Sequence, residues 1–144
     1  MPEQPAHVVV TIGTTPHRTD ARTTPEDDAR SHTLVVDVPP SKGGSDQGPS
    51  PHDLLLTSLG SCIAITCNMY ATRKQWPLEG IDVGVRHDLP AERGGKERLT
   101  VTLAFRGDLS PEQHERLTEI AHKCPVHKAI TAGVEVQMTA SMDT

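Results

Sequence analysis

Three thiols hold most of the reactive chemistry available to this chain: Cys62, Cys67 and Cys124. The run Met1-Pro-Glu-Gln-Pro-Ala-His7 lacks the basic and apolar blocks of a secretion signal, so a reducing, cytoplasmic setting is expected. There an odd number of cysteines points to catalysis or metal binding rather than to a disulfide framework.

Cys62 is flanked by Gly60, Ser61 and Ala64, small residues that let a backbone or a ligand approach. Residue type and position leave it open between a buried hydrophobe and a reactive group. Cys67 follows five residues later, about 140° around a helix, so the two cannot easily pair. It is best read as a small core residue. Cys124 precedes Pro125 and can cap a helix beginning there, where amide hydrogens and the helix dipole favour a thiolate.

His122, Cys124 and His127 crowd together in sequence and, with Cys62, could imitate a zinc site. The paired Cys-x-x-Cys knuckle is missing, and solvated histidines on a polar helix face explain the cluster more simply. No metal or organic cofactor is expected. Glycine-rich nucleotide loops and the Gly-x-Ser-x-Gly motif are likewise missing.

These thiols must be positioned by an α+β arrangement. His7–Ile12 and His32–Val38 are β-branched runs, and the polar stretch Gly13–Ser31 between them declares no strand of its own. After a Pro/Gly/Ser-rich loop, Pro39–Ser50, the box Ser50-x-x-Asp53 with Pro51 at the first helical position predicts a helix from 51 to about 74, ahead of Pro77. Leu54, Leu55, Leu56, Leu59, Ile63, Ile65, Met69 and Tyr70 surround it, so burial on more than one face is expected. The uncharged run Leu54–Thr72 is too polar for a confident membrane span.

Alternation then predicts two strands, with Ile81, Val83 and Val85 on one face of the first and Leu99, Val101, Leu103 and Phe105 on one face of the second. A capping box at Ser110–Gln113 opens a helix interrupted at Cys124-Pro125, and a short helical turn continues through Ile130. Val134, Val136 and Met138 predict a last strand over Gly133–Ala140. Nothing marks a second domain, and residues 1–144 are read as one.

Hydrophobic residues are 35% of the chain and aromatics 2%, a thin supply for a core of 144 residues, so part of the apolar surface is expected to be buried against a second subunit. The net charge of -5, with both signs interspersed, argues against nucleic acid as a partner.

The segment from Gly48-Pro49-Ser50-Pro51-His52-Asp53 through Cys62 to Lys74 resembles the signature helix of the OsmC/Ohr family. Lys123-Cys124-Pro125-Val126-His127-Lys128 resembles that family's second cysteine motif. Asp37-Val38-Pro39, Gly43-Gly44 and Trp76-Pro77-Leu78-Glu79-Gly80 also fit, so the likeness runs from about His32 onward.

The resemblance implies an OsmC-like α+β fold, antiparallel sheets packed on a long central helix, in an intertwined homodimer. It implies a cysteine-based peroxidase for organic or hydrogen peroxide, with Cys62 peroxidatic and Cys124 resolving, recycled by an external dithiol such as a lipoyl-type reductant. Organic hydroperoxide reductases of this family place a glutamate ten residues before the first cysteine, paired with an arginine. Here that position is His52, with Asp53 beside it as the candidate carboxylate, and Arg18 is the first candidate arginine ahead of Arg22 and Arg30. Few aromatics speak against a pocket for bulky aryl hydroperoxides. The rival on the same fold is a non-peroxidatic binding protein for a small thiol or acyl compound.

Overall fold

The computed structural model describes residues 7–25, 27 and 29–142. The chain forms two compact units, residues 1–55 and 56–144.

In the first unit, β1 (Val8–Ile12), β2 (Thr19–Thr23) and β3 (Thr33–Val36) form an antiparallel sheet in the order β1-β2-β3. β2 lies within the polar stretch that declared no strand. Its sequence, Thr-Asp-Ala-Arg-Thr, buries only Ala21, and pairing to a neighbour on each side holds it extended. The loop after β3 is organised by Asp37, which is 1% exposed. Its carboxylate accepts the amides of Val38 (2.7 Å), Gln47 (3.1 Å) and Ser45 (3.3 Å). Gly44 is needed there because a Cβ would run into the carbonyl oxygen of Val38.

The amide hydrogen bonds, led by those from Gln47 and Val38, hold the Asp37 carboxyl below its usual range against the opposing effect of desolvation. A depressed carboxyl pKa contributes stability that is present above the unfolded-state value and lost as pH falls through the folded one. Asp37→Asn is therefore expected to lower the melting temperature by several degrees at neutral pH. The deficit should shrink below about pH 4, near the unfolded carboxyl pKa, which thermal melts across that range would test.

α1 (Pro51–Lys74) begins as the sequence predicts. Asp53 N–H donates to Ser50 Oγ at 3.1 Å and Ser50 N–H to Asp53 Oδ2 at 3.0 Å. It ends at Gln75, whose φ of 58° is left-handed, ahead of Pro77. The helix is long and apolar enough to cross a membrane by length and composition, yet its stripe Leu59, Ile63, Cys67 and Ala71 is the buried centre of the second unit.

That unit adds the hairpin β4 (Leu78–Asp88) and β5 (Arg98–Gly107), then α2 (Pro111–Ala121) and α3 (Pro125–Ala132). The register sets Ile81 opposite Phe105, Val83 opposite Leu103 and Val85 opposite Val101, and this apolar face packs against the helical core. α1 packs closely on the hairpin at Gly60, where a Cβ would lie in ordinary contact with Val85 at 3.4 Å. α2 starts with the predicted capping box of Ser110 and Gln113 and buries Leu117 completely, which contributes about 2 kcal/mol by transfer alone.

Two expectations are corrected. Gly133–Ala140 forms no strand, and Val134, Val136 and Met138 are 68%, 70% and 89% exposed. Alternation supplies a strand's pattern but not its hydrogen-bonding neighbour, and among the described residues no strand pairs with this segment. Nor is α1 buried on several faces within the chain, because Ile65 and Met69 are 58% and 66% exposed.

Candidate functional site

Pro125 ends any helix from its N-terminal side and starts α3, leaving Cys124 as the N-cap in extended conformation (φ -60°, ψ 130°). The His127 amide donates to Cys124 Sγ at 3.4 Å, as the sequence led us to expect. Cys124 is completely buried, and Cys62, on the middle turns of α1, is half-buried. Cys62 packs against the buried cluster that contains Cys124, and the two thiols, 62 residues apart in sequence, shift one another's protonation.

Their protonation is unequal. Burial pushes the Cys62 thiol up, but hydrogen bonds led by the Cys124 side chain and the Val126 amide outweigh it and leave Cys62 below the ordinary thiol range. For Cys124, burial and the bond to Cys62 both push upward, and the His127 and Val126 amides offset them only partly. Of the two, Cys62 is therefore the thiol that gives up its proton first, and Cys124 the one that holds it longer. This corrects the expectation that capping would make Cys124 the thiolate: the start of α3 stabilises an anion, but full burial and the contact with Cys62 transfer that benefit across. Cys67 is a core residue, with its thiol donating to the Leu117 carbonyl at 3.4 Å and its pKa raised to about 11, chiefly by burial.

A thiol that ionises readily, near a second thiol that holds its proton longer, is the minimal apparatus for forming and resolving an oxidised sulfur. The sequence matches the family of OsmC-like proteins over residues 43–139. The chain belongs to the OsmC-like family. Solved structures share the fold of this OsmC-like chain. One, from Psychrobacter arcticus 273-4 and assigned to osmotic stress induced and detoxification responses, is 23% identical with a TM-score of 0.70, covering 88% of this chain and 89% of that one. An OsmC-like protein from Mycoplasma pneumoniae is 16% identical, with a TM-score of 0.69 and coverage of 90% and 89%. An organic hydroperoxide resistance protein from Elizabethkingia anophelis, with thiocyanate bound, is 19% identical, with a TM-score of 0.62 and 94% of each chain covered. No curated protein matches in sequence.

Two further candidates of this OsmC-like chain lie in the first unit, engaged locally. Arg18 donates to the side chain of Gln47 and pairs with Asp20 at 3.3 Å. Asp53 serves the α1 cap, and its carboxyl is held low first by the Ser50 amide and then by the Ser50 hydroxyl.

The Val126 amide escaped sequence reasoning. Its signal was Pro125, which fills the first helical position and leaves the following amides free to donate to sulfur. His127 also departs from the solvated-histidine reading. It is half-buried, stacks edge-on with His122 at 5.8 Å, and its Nδ1 is buried with no hydrogen-bond partner among the described residues. A cleft of about 1080 Å³ passes these two histidines, lined also by Leu59, Ile63, Leu99 and Val101. Among the described residues no group of three or more His, Cys, Asp or Glu side chains could hold a metal ion.

Proposed function

We propose that this OsmC-like chain is a thiol peroxidase for organic or hydrogen peroxide. The observation that carries the reading is a half-buried Cys62, its pKa held below the ordinary thiol range, packed against the cluster that buries Cys124, whose pKa is raised.

The Cys62 thiolate attacks the distal oxygen of ROOH, the O–O bond breaks, and Cys62 becomes a sulfenic acid while RO⁻ takes a proton and leaves as ROH. The Cys124 sulfur then displaces hydroxide from that sulfenic acid. Its own proton leaves with the hydroxide as water, and a Cys62–Cys124 disulfide remains. A cytoplasmic dithiol, lipoyl-type or similar, reduces it by exchange and is itself oxidised to a disulfide. Every electron comes from sulfur, so the cycle needs no metal or organic cofactor. Neighbours of the same fold named as organic hydroperoxide resistance proteins support this reading. Peroxide consumption in the presence of dihydrolipoamide or dithiothreitol tests it: dithiol-dependent turnover is expected, and failure to consume either peroxide class would leave a binding protein on this fold.

The working unit we propose is a homodimer. The apolar residues Ile65 and Met69 on α1, and Val134, Val136 and Met138 in a segment with no strand partner among the described residues, are exposed in the single chain. β1 likewise exposes Val8, Val9, Val10 and Ile12. Light scattering should give twice the chain mass of 15.6 kDa. Met69→Asp with Ile65→Asp should shift the protein toward a single chain, and an unchanged mass in that variant would contradict the assigned surface.

A further inference from the structure

His122 and His127 both line the cleft of about 1080 Å³ in the second unit, with their rings edge-on at 5.8 Å. The surroundings of each ring fix where its hydrogen sits. His122 Nδ1 lies 3.0 Å from the Thr118 carbonyl, which can only accept, so Nδ1 donates and in the neutral ring Nε2 is a bare acceptor. His127 is arranged the other way round. Its Nδ1 is buried with no hydrogen-bond partner among the described residues, on the third residue of α3. An N–H on that atom would be an orphaned donor in a first turn already rich in free amides, so the hydrogen belongs on Nε2. With Nδ1 buried and the ring lining the cleft, Nε2 is the nitrogen open to an occupant.

We propose that His122 and His127 form a subsite for a ligand head that both donates and accepts a hydrogen bond. The head's hydrogen goes to His122 Nε2, and one of its oxygens accepts from His127 Nε2. The body of the ligand is apolar, because Leu59, Ile63, Leu99 and Val101 line the same cleft. The charged residues of the cleft, Asp88, Glu92, Lys96, Glu97 and Arg98, bring both signs from one end of the β4–β5 hairpin, which suits a neutral head better than a carboxylate. The subsite adjoins the thiols: the His127 backbone amide donates to Cys124 Sγ at 3.4 Å, and Leu59 and Ile63 bracket Cys62 along α1. A hydroperoxide group has the required donor and acceptor, and so has the alcohol it becomes on reduction. Naming the head a hydroperoxide rests on the peroxidase reading above, whereas the donor and acceptor pair does not.

The test is binding alone. Hexan-1-ol, which donates and accepts, is compared with its isomer 1-methoxypentane, which only accepts, by following backbone amide chemical shifts during titration. The wild type should bind the alcohol about fivefold more tightly, the scale of one hydrogen bond, with the shifts centred on the cleft. His122→Phe, at an exposed position, should lose that preference and keep its affinity for the ether. His127→Leu should weaken both probes by a similar factor, and His127→Gln, whose amide N–H stands in for Nε2–H, should restore them. Equal affinities in the wild type, or a preference that survives in His122→Phe, would overturn the proposal. So would His127→Leu binding as the wild type does, or His127→Gln binding as weakly as leucine, which would leave His127 a packing role. Neither probe contains an O–O bond, so a failure here is distinguishable from a failure of the peroxidase reading.

Discussion

Replacing Cys62 by serine should reduce dithiol-dependent peroxide consumption by on the order of a thousandfold, because an alcohol stays protonated where a thiolate would attack. The fold should survive, since Cys62 is only half-buried and serine is nearly isosteric. The same chemistry fixes the pH dependence of the wild type. Reactivity follows the thiolate fraction, rising as pH climbs through the Cys62 pKa and levelling off above it. Since that pKa lies below the ordinary thiol range, the plateau should be reached at lower pH than for a free thiol such as N-acetylcysteine. Cys67, raised to about 11, cannot substitute, and Cys67→Ser should leave the profile in place. Stopped-flow rates for wild type, Cys62→Ser and Cys67→Ser across neutral pH check all three statements. Equal turnover in Cys62→Ser would remove the assignment.

The second large effect concerns Cys124, to which the proposed cycle gives two separable roles. There it condenses with the sulfenic acid as resolving thiol, and its side chain helps lower the Cys62 pKa. Serine preserves the donor and loses the resolving sulfur, whereas alanine loses both. Cys124→Ser should therefore perform the first peroxide reduction at close to the wild-type rate and then accumulate a Cys62 sulfenic acid, trapped by dimedone, with steady-state turnover down by about tenfold or more. Cys124→Ala should additionally slow the first reduction and shift its profile to higher pH. Equal first-step rates and profiles in the two variants would show that the contact between the thiols does not tune Cys62.

The parts of this site that were legible in sequence are those with local causes. Ser50, Pro51 and Asp53 announce the start of α1 because the cap is closed by residues three apart, and Cys124 announces its own capping role because Pro125 can only begin a helix. The apolar alternation of β4 and β5 likewise contains its own evidence of register. What could not be read depends on contacts distant in the chain. β2 is polar and extended because two neighbours pair with it. That Cys124 holds its proton longer than Cys62 follows from burial and a contact across 62 residues. Asp37 reads as one more loop carboxylate until three amides close on it. The pattern of Val134, Val136 and Met138 was visible, but a strand also needs a partner, and the alternation says nothing about where that partner is.

The most direct measurement is the fate of the three thiols when the reduced wild-type protein meets one equivalent of hydroperoxide without reductant. If Cys62 is oxidised and Cys124 captures it, two free thiols disappear, peptide mapping finds residues 62 and 124 joined, Cys67 stays free, and dithiothreitol restores all three. Titration that still counts three thiols, or a linkage that includes Cys67 or omits Cys124, would contradict the account.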